Sequence, residues 1–245
     1  MASPDTPPDF DAFAEGYAAG MENPVKQLAG TDAEVFIDLK AWHLLEDLKR
    51  RPLSPPAGPA RLLDFGCGEG VLLRLLAARG FAGEMVGSDV SPAMLDEARS
   101  KWPTGASAPA WALSAPGRLP FPDGSFDIVA ALGVLHHVPP DQRAAEWQEI
   151  ARVLRPGGRC YIYEHNPLNP LTQYVVRNTA IDAGVVLLPA GETASGLQRA
   201  GLRVTLNHGL MYWPPKWRWA WKLERLVRSI PLGGQYVVAA DKPWR

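Results

Sequence analysis

A glycine-rich loop between a predicted strand and a predicted helix is the strongest chemical signal in the sequence. The run Asp64-Phe65-Gly66-Cys67-Gly68-Glu69-Gly70 places glycines at alternate positions, and glycine lets a backbone turn tightly and approach a ligand closely. The spacing is G-x-G-x-G, whereas the dinucleotide fingerprint is G-x-G-x-x-G. Asp64, two residues before the first glycine, would repel a pyrophosphate and attract an ammonium group. The loop therefore favours a ligand with an ammonium group, such as a methionine moiety, over a nicotinamide dinucleotide.

A second carboxylate ends the next predicted strand. Asp89 lies nineteen residues beyond Gly70. A carboxylate at this place can accept hydrogen bonds from both hydroxyls of a ribose, as the equivalent acid does in Rossmann folds. Alone, the glycine loop is often only a tight turn, and a strand-end aspartate is often only a helix cap. Their order and distance together favour a nucleoside-type cofactor.

Candidate catalytic residues follow the fourth and fifth core strands. His136 and His137 come after one strand, and Glu164 and His165 end the other. Ligands of open α/β sheets bind outside the carboxyl ends of the strands, and a histidine can take a proton from a hydroxyl near neutral pH. A role only in shaping these loops is the alternative. No metal site is predicted, because the histidines are not interleaved with cysteines or carboxylates at ligand spacing.

Composition is typical of a soluble globular protein. Apolar residues make up 47% of the 245 residues and charged residues 21%, and the formal net charge is −1. This balance gives no global field for nucleic acid or for an anionic membrane. Two cysteines do not make a disulfide framework, and no apolar run is long enough to span a bilayer. With no signal peptide visible, we expect a cytoplasmic protein.

Short apolar runs alternate with helical patterns from residue 61 onward. Ser91 is expected to cap a helix with proline at its first turn, and Gly201 to close a later one. Alternating strands and helices predict a parallel sheet with helices on both faces. The predicted strands are 61–65, 84–89, 111–114, 126–132, 159–163, 203–206 and 235–239, and the predicted helices are 70–79, 92–101, 142–154 and 192–200.

The chain divides into three predicted regions. Residues 1–9 are proline-rich and predict a disordered tail, and residues 10–59 predict a helical lid with a proline-rich linker. Residues 60–245 form the predicted core, with insertions at 168–189 and 211–232 that are expected to make an acceptor pocket.

Five motifs in order resemble the class I S-adenosylmethionine-dependent methyltransferases, in particular small-molecule enzymes related to those of menaquinone and ubiquinone biosynthesis. They lie at 62–70, 88–95, 119–129, 134–138 and 149–158. The resemblance implies an α/β fold: a seven-stranded, mostly parallel Rossmann-like sheet with helices on both faces and an antiparallel last strand. It also implies S-adenosylmethionine as cofactor, S-adenosylhomocysteine as product, and methyl transfer to an O, N or C atom of a small-molecule acceptor.

Cofactor contacts follow from the same resemblance. Asp64 and the glycine loop would hold the methionine end, Asp89 the ribose, and Val90 and Met94 the adenine. The full set expected to bind the cofactor is Asp64, Gly66, Cys67, Gly68, Gly70, Asp89, Val90, Met94, Ser114, Ala115 and Leu132. Within the N-terminal lid, Tyr17 is expected either to cover the cofactor or to pack in the core.

One departure from the family pattern concerns adenine. The acid and the backbone N–H that usually read the base fall on Ala115 and Pro116, and neither residue can fill its role. A shift of one residue would move the two roles to Ser114 and Ala115, which suits the chemistry better.

A tryptophan-rich, basic stretch at 211–230 leaves two interpretations open. At helical spacing, Trp219, Leu223, Leu226, Val227 and Ile230 share one face, and Arg218, Lys222 and Arg225 share another. This pattern suits a membrane surface or a lipid-linked substrate. A helix whose apolar face packs on the sheet edge is the interpretation that we favour. The chain is expected to be a monomer or a homodimer.

The acceptor class follows only weakly from sequence. Residues 163–172 and 231–236 are similar to stretches in bacterial methyltransferases that accompany glycosyltransferase and lipid-modifying genes, a subgroup whose substrates are mostly unassigned. A glycan, polyketide or lipid-linked acceptor is preferred only weakly. A cyclase that reuses the cofactor site and a non-catalytic partner subunit are the alternatives. Nucleic acid is disfavoured as a partner by the balanced charge.

Overall fold

The structure is a computed structural model that describes residues 11, 33–53, 58–105 and 107–244. The predicted tail over 1–9 and Tyr17 lie outside the described residues. The strands are β1 (Arg61–Phe65), β2 (Glu84–Asp89), β3 (Ala110–Leu113), β4 (Phe126–Leu132), β5 (Leu154–His165), β6 (Arg203–Leu210) and β7 (Gln235–Asp241). The helices are α1 (Ala33–Arg50), α2 (Val71–Ala78), α3 (Pro92–Ser100), α4 (Arg143–Val153), α5 (Pro170–Arg177), α6 (Ala190–Arg199) and α7 (Glu224–Val227), with short 3-10 helices at Ala180–Asp182 and Arg218–Leu223.

The seven strands form one sheet in the order β3-β2-β1-β4-β5-β7-β6. The pairs from β3 to β5 are parallel, and β7 runs antiparallel to both β5 and β6. The carboxyl ends of β1, β2, β4 and β5 therefore meet at one edge. The register places His165 opposite Gln235 and Gln235 opposite Leu210, so the connection from β6 to β7 also lies at that edge. This architecture confirms the predicted fold class.

Alternation along the central strands builds two apolar cores, one on each face of the sheet. In β5, Cys160 and Ile162 enter one core, whereas Tyr161 and Tyr163 enter the other. Residues of α4 and α6 complete the first core, and residues of α1 and α2 complete the second. Successive strand side chains point to opposite faces, so a sheet covered on both sides needs apolar residues at consecutive positions. This explains the continuous apolar runs in β4 and β5.

The predicted bounds of β1, β2 and β4 agree with the structure to the residue, whereas those of β5 were wrong. β5 begins at Leu154, which pairs with Phe126, and the register then shifts before Ile128 pairs with Arg159. The intervening residues 155–158 were expected only to end the preceding helix. They form an irregularity inside the strand, where the backbone N–H of Gly157 donates to the carbonyl of Lys242 at 2.8 Å.

A buried ionic network fastens α1 to the sheet. Arg51 donates to both carboxylate oxygens of Asp47 at 2.8 and 2.6 Å, and the Tyr161 hydroxyl donates to Oδ2 of Asp47 at 2.7 Å. Arg159 in turn pairs with Asp241 at 2.6 Å. These charge-assisted bonds fix the helix that covers the second core. No helix among the described residues is long and apolar enough to cross a membrane.

Candidate active site

The glycine loop closes the gap between β1 and β2. The backbone N–H groups of Gly66 and Cys67 both donate to the carbonyl of Ser88, at 2.8 and 3.0 Å. Gly66, Gly68 and Gly70 all have positive φ, at 70°, 48° and 70°. Residues with a Cβ adopt this region at a cost, so the alternating glycines are required by the shape of the turn.

The three glycines differ in what surrounds them. A Cβ at Gly66 would lie 2.6 Å from the side chain of Val134, and a Cβ at Gly70 would lie 2.6 Å from Trp111. At Gly68, by contrast, a Cβ would meet no atom of the described residues within 4 Å. The middle of the loop therefore faces open space at the carboxyl edge of the sheet, where a ligand can approach the backbone closely.

Asp89 joins the loop to the end of β2. Its Oδ2 accepts a hydrogen bond from the Gly68 backbone N–H at 2.8 Å, and its Oδ1 accepts one from the Ser91 N–H at 3.0 Å. Each carboxylate oxygen keeps a further lone pair, so the group can still accept the two hydroxyls of a ribose. As predicted, the Ser91 hydroxyl caps α3 by accepting from the Met94 N–H at 3.1 Å.

Asp64 is buried beneath the loop, and within the described residues no hydrogen bond reaches its carboxylate. Burial, reinforced by the charge of Asp89, raises the pKa of Asp64 to about 8. An ammonium group placed beside it would restore the charged form and relieve this cost. The pair of carboxylates and the open glycine backbone thus fit the methionine and ribose ends of S-adenosylmethionine.

The residues predicted to contact adenine differ in their exposure and in their hydrogen bonds. Val90 is 43% exposed and available to a ligand, whereas Met94 is only 1% exposed and faces the core. The structure therefore gives no support to the prediction that Met94 packs against adenine. Ser114 and Ala115 follow β3, but the Ala115 N–H donates to the carbonyl of Arg118 at 3.2 Å. A hydrogen bond from Ala115 to adenine would have to be shared with that carbonyl.

Two further predicted cofactor residues lie within the loop and at the end of β4. Cys67 is buried, and burial together with the charges of Asp64 and Asp89 raises the pKa of its thiol far above the usual range. It is therefore a neutral packing group. Leu132 ends β4 and is half-buried at the same edge, where it packs against the second core.

All four predicted catalytic residues lie in one cluster beyond β4 and β5. Oε2 of Glu164 lies 2.6 Å from Nδ1 of His136, and Oε1 of Glu164 accepts the backbone N–H groups of Val134 and Leu135 at 3.0 and 2.7 Å. The ring centroids of His137 and His165 lie 4.1 and 5.1 Å from that of His136. The carboxylate of Glu164 thus fixes both the turn after β4 and the orientation of His136.

A fifth member, Asp182, was missed in the sequence. Its Oδ1 lies 3.4 Å from Nε2 of His136 and 3.6 Å from Nε2 of His137. It belongs to the 3-10 helix at Ala180–Asp182, inside the predicted insertion at 168–189. Arg143 holds the residues that follow by donating to the carbonyl of Val186 and to Glu192. A lone aspartate 46 positions from His136 carries no local signal, so only the fold reveals it.

The electrostatics of the cluster favour a positive charge at its centre. Burial alone would lower the pKa of His136, but the charge of Glu164 and hydrogen bonds with Asp182 and Glu164 raise it to about 9. Burial and the charge of His136 lower the pKa of His137 to about 3 and that of His165 to about 4. At neutral pH the cluster therefore holds one cationic and two neutral imidazoles.

The prediction of no metal site relied on spacing along the chain. In the fold, His136, His165 and Asp182 each offer one ligand atom, and these atoms all lie within 4.8 Å of one another.

Comparisons with known proteins identify the family of the chain. A family model described as a methyltransferase domain matches residues 63–162, which run from β1 to β5. The ubiquinone biosynthesis O-methyltransferase of Xylella fastidiosa is 31% identical over 182 residues, which cover 69% of this chain and 69% of that protein. The chain belongs to the class I S-adenosylmethionine-dependent methyltransferases. The predicted family is thereby confirmed.

Other relatives of this methyltransferase match over shorter regions. The demethylmenaquinone methyltransferase of Thermus thermophilus is 36% identical over 115 residues, or 47% of this chain and 51% of that protein. The matched region covers from 20% to 69% of the length of the curated relatives compared. A TehB-like S-adenosylmethionine-dependent methyltransferase of Corynebacterium glutamicum shares the fold, with a TM-score of 0.60 at 19% identity over 95% of this chain and 99% of that one.

The connection from β6 to β7 differs from the favoured prediction. Its buried residues include Ala220, Trp221 and Glu224, and Glu224 accepts the backbone N–H groups of Met211 and Tyr212 at 2.7 and 2.9 Å. The apolar residues expected to pack inward point outward instead: Trp219 is 71% exposed and Leu226 is 81% exposed. The prediction of an apolar face packed on the sheet edge was therefore wrong.

The methyltransferase thus carries an exposed apolar surface beside the active edge, by which we mean the edge of the sheet that bears the glycine loop and the histidine cluster. We define the outer face as the exposed apolar residues of this connection: Trp217, Trp219, Leu223, Leu226, Ile230 and Leu232. The side-chain amide of Asn166, directly after β5, donates to the carbonyls of Pro231 and Gly233 at 3.1 and 2.8 Å. These bonds hold the end of the outer face against the residues that follow the catalytic cluster.

Proposed function

We propose that this methyltransferase transfers a methyl group from S-adenosylmethionine to a hydroxyl oxygen of an acceptor that has a small polar head and an apolar, membrane-embedded part. One observation carries the proposal: a buried histidine–carboxylate cluster and an exposed apolar, basic surface share the sheet edge that bears the glycine loop. S-adenosylmethionine, when bound, would supply the methyl group from its sulfonium centre.

The glycine loop supports the cofactor half of the proposal. Asp64 provides a buried carboxylate for the ammonium of the methionine end, Asp89 provides acceptors for the ribose, and Gly68 leaves its backbone uncovered. Val134 packs against Gly66, so the turn that carries His136 and His137 directly adjoins the cofactor loop. A methyl group held over the loop would therefore lie beside the cluster.

The cluster supports a hydroxyl as the acceptor group. Methyl transfer is an in-line displacement in which the protein mainly aligns the two reactants, and a hydroxyl must also lose its proton. His137 and His165 are neutral imidazoles that can accept a hydrogen bond from that hydroxyl, while Glu164 and Asp182 offset a positive charge in the cluster. An acceptor atom without a proton to remove would need none of these groups.

The outer face supports an acceptor with an apolar part. Residues 211–232 contain five basic residues (Lys216, Arg218, Lys222, Arg225 and Arg228) against one acid, Glu224, and that acid is buried. Tryptophan and leucine side chains that emerge among lysine and arginine suit an anionic membrane interface. An enzyme docked there would place its active edge next to lipid-borne substrates.

Vesicle flotation tests the membrane half of the proposal. We expect the wild type to bind vesicles of phosphatidylglycerol and phosphatidylcholine more strongly than phosphatidylcholine alone. Trp219→Ser combined with Leu226→Ser should abolish this binding. Trp244→Ser is the matched control, because Trp244 is 65% exposed but packs beside Gly157, near the start of β5. Equal binding by both variants would contradict the proposal.

A transfer assay tests the chemistry. The protein is incubated with S-adenosylmethionine labelled in its methyl group and a bacterial lipid extract, and both the label in the organic phase and the S-adenosylhomocysteine formed are measured. Equal amounts of the two support the proposal. Label confined to water-soluble products would contradict the apolar acceptor. Substrate conversion without S-adenosylhomocysteine would instead indicate a cyclase, and absence of cofactor binding would indicate a non-catalytic partner subunit.

A further inference from the structure

We propose that His136, His165 and Asp182 bind a divalent transition-metal ion that activates the acceptor. The inference rests on the proposed function, because it assigns the ion to the same acceptor site. The three residues come from the turn after β4, the end of β5 and the 3-10 helix at Ala180–Asp182. One ligand atom from each lies within 4.8 Å of the other two.

The separations in this group are compatible with shared coordination as well as with hydrogen bonding. Oδ1 of Asp182 lies 3.4 Å from Nε2 of His136, which makes the contact a long hydrogen bond. Two ligand atoms that each lie about 2.1 Å from a tetrahedral ion are separated by about 3.4 Å. The His136–Asp182 spacing therefore matches that of two ligands around one ion.

Glu164 supplies the support that metal-binding histidines usually have. Its Oε2 lies 2.6 Å from Nδ1 of His136, and this contact leaves Nε2 pointing toward Asp182. Metal-ligating imidazoles commonly donate their other N–H to a carboxylate, which fixes the tautomer and the ring orientation. Because Glu164 also accepts the Val134 and Leu135 N–H groups, its own position is fixed by the backbone.

Burial and two carboxylates make the group a favourable place for a cation, and a bound ion would displace the proton from Nε2 of His136. His136, Glu164 and Asp182 are all buried, so the two carboxylates act through a medium of low polarity. Two imidazoles and one carboxylate are the ligands of a catalytic zinc-type site, which keeps a fourth position open. Mg²⁺ prefers oxygen ligands and is expected to bind poorly.

The open position explains how the acceptor would react. Coordination of the acceptor hydroxyl would lower its pKa, as it does for metal-bound water. Its proton would pass to solvent by way of His137, because His165 would then be a ligand of the ion. The oxygen then attacks the methyl carbon of S-adenosylmethionine. An O–CH₃ bond forms as the S–CH₃ bond breaks, and the electron pair of that bond stays on sulfur, which gives S-adenosylhomocysteine.

Metal binding can be measured on the full chain without any acceptor. Protein stripped with a chelator is titrated with Zn²⁺, Mn²⁺ and Mg²⁺ by calorimetry, and Co²⁺ is added as a spectroscopic probe. We expect one Zn²⁺ per chain, weak or no Mg²⁺ binding, and a visible absorption band from tetrahedral Co²⁺. Asp182→Asn and His165→Gln should each weaken Zn²⁺ binding at least tenfold and shift or remove the Co²⁺ band.

The control is His208→Gln, because the ring of His208 in β6 packs against that of His43 in α1, outside the cluster. This variant should bind Zn²⁺ like the wild type. Absence of the Co²⁺ band in wild type, or wild-type Zn²⁺ affinity in Asp182→Asn, would overturn the inference. Titration with S-adenosylhomocysteine separates the two proposals: if it binds and methyl transfer proceeds with chelator present, the metal site falls and the proposed function stands. If it does not bind, the proposed function fails.

Discussion

The backbone N–H of Gly68 donates a hydrogen bond to Oδ2 of Asp89 at 2.8 Å, which ties the glycine loop to the end of the neighbouring strand. The same carboxylate accepts the Ser91 N–H through its other oxygen, at 3.0 Å. Asp89 therefore organises the loop before any ligand arrives and offers its remaining lone pairs to a ribose. It links the shape of the site to its affinity for a nucleoside.

Replacement of Asp89 tests this dual role. In Asp89→Asn an amide N–H₂ must face one of the two backbone N–H groups, and the charge that accepts the ribose is lost. Hydrogen bonds to a charged group contribute about 1.5–3 kcal/mol, so we expect affinity for S-adenosylhomocysteine to fall by roughly tenfold to a hundredfold. Asp96→Asn is the control, because Asp96 lies on the exposed side of α3 and pairs with Arg99. Unchanged affinity in Asp89→Asn would contradict the assignment.

Cofactor affinity should depend on pH through Asp64. Burial and the charge of Asp89 raise the pKa of Asp64 to about 8, so the free protein is mostly protonated there at pH 6. An ammonium ligand needs the carboxylate, and affinity should rise as the pH increases from 6 to 8. Above about pH 8 the amino group of the ligand itself loses its proton, and the rise should end. Calorimetry across this range should show the rise in wild type and a flat profile in Asp64→Asn.

Glu164 is a positioning residue whose loss should slow methyl transfer without weakening cofactor binding. Glu164→Gln keeps an oxygen for the Val134 and Leu135 N–H groups but removes the charge that orients His136. We expect turnover to fall by about tenfold or more, within the range attributed to proton-transfer groups. Affinity for S-adenosylhomocysteine should remain that of the wild type. An equal loss of affinity and turnover would indicate a merely structural role.

The Asp47 network should contribute measurably to the free energy of unfolding. Asp47→Ala leaves Arg51 and Tyr161 without their carboxylate, and removing one partner of a buried pair costs about 3 kcal/mol. Glu46→Ala is the control, because Glu46 makes only surface pairs with Lys49 and Arg50, which contribute about 1 kcal/mol at most. Urea unfolding of both variants measures the difference, and equal midpoints would refute the prediction.

The same network should weaken in acid. Burial alone would raise the pKa of Asp47, but hydrogen bonds from Arg51 and Tyr161 hold it below its ordinary value of 3.8. A carboxyl group whose pKa is lowered by folding stabilises the protein above its unfolded pKa and loses that contribution as the pH falls through the folded pKa. The stability gap between wild type and Asp47→Ala should therefore be full at pH 7 and shrink below about pH 4.

Local patterns in the sequence were sufficient to predict the tight turn of the glycine loop and much of the core. The bounds of β1, β2 and β4 follow from continuous apolar runs, and the α3 cap follows from Ser91-Pro92. Features that depend on long-range contacts were not predictable. Asp182 reaches His136 only because Arg143 fastens the insertion beside α4, and Met94 turns inward because α3 packs on the sheet.

The connection from β6 to β7 shows why periodicity alone misplaces a helix face. A helical pattern identifies which residues share a face, but not which face meets the protein. Here the buried Glu224 accepts hydrogen bonds from the Met211 and Tyr212 N–H groups. The face that carries Glu224 therefore meets the protein, and Trp219 and Leu226 lie on the side exposed to solvent. The signal available in the sequence was Glu224, the one acid among the five basic residues of 211–232.

Calorimetric titration of S-adenosylmethionine into wild type, Gly68→Ala and Gly80→Ala tests the central claim most directly. Both glycines have positive φ, and at both a Cβ would meet no atom within 4 Å in the part of the chain that the structure describes. The two variants therefore carry a similar backbone strain of about 1–2 kcal/mol. Gly68 lies in the cofactor loop, whereas Gly80 follows α2. The account predicts one site in wild type and in Gly80→Ala, and binding lost or strongly weakened in Gly68→Ala. No binding to wild type, or undiminished binding to Gly68→Ala, would contradict it.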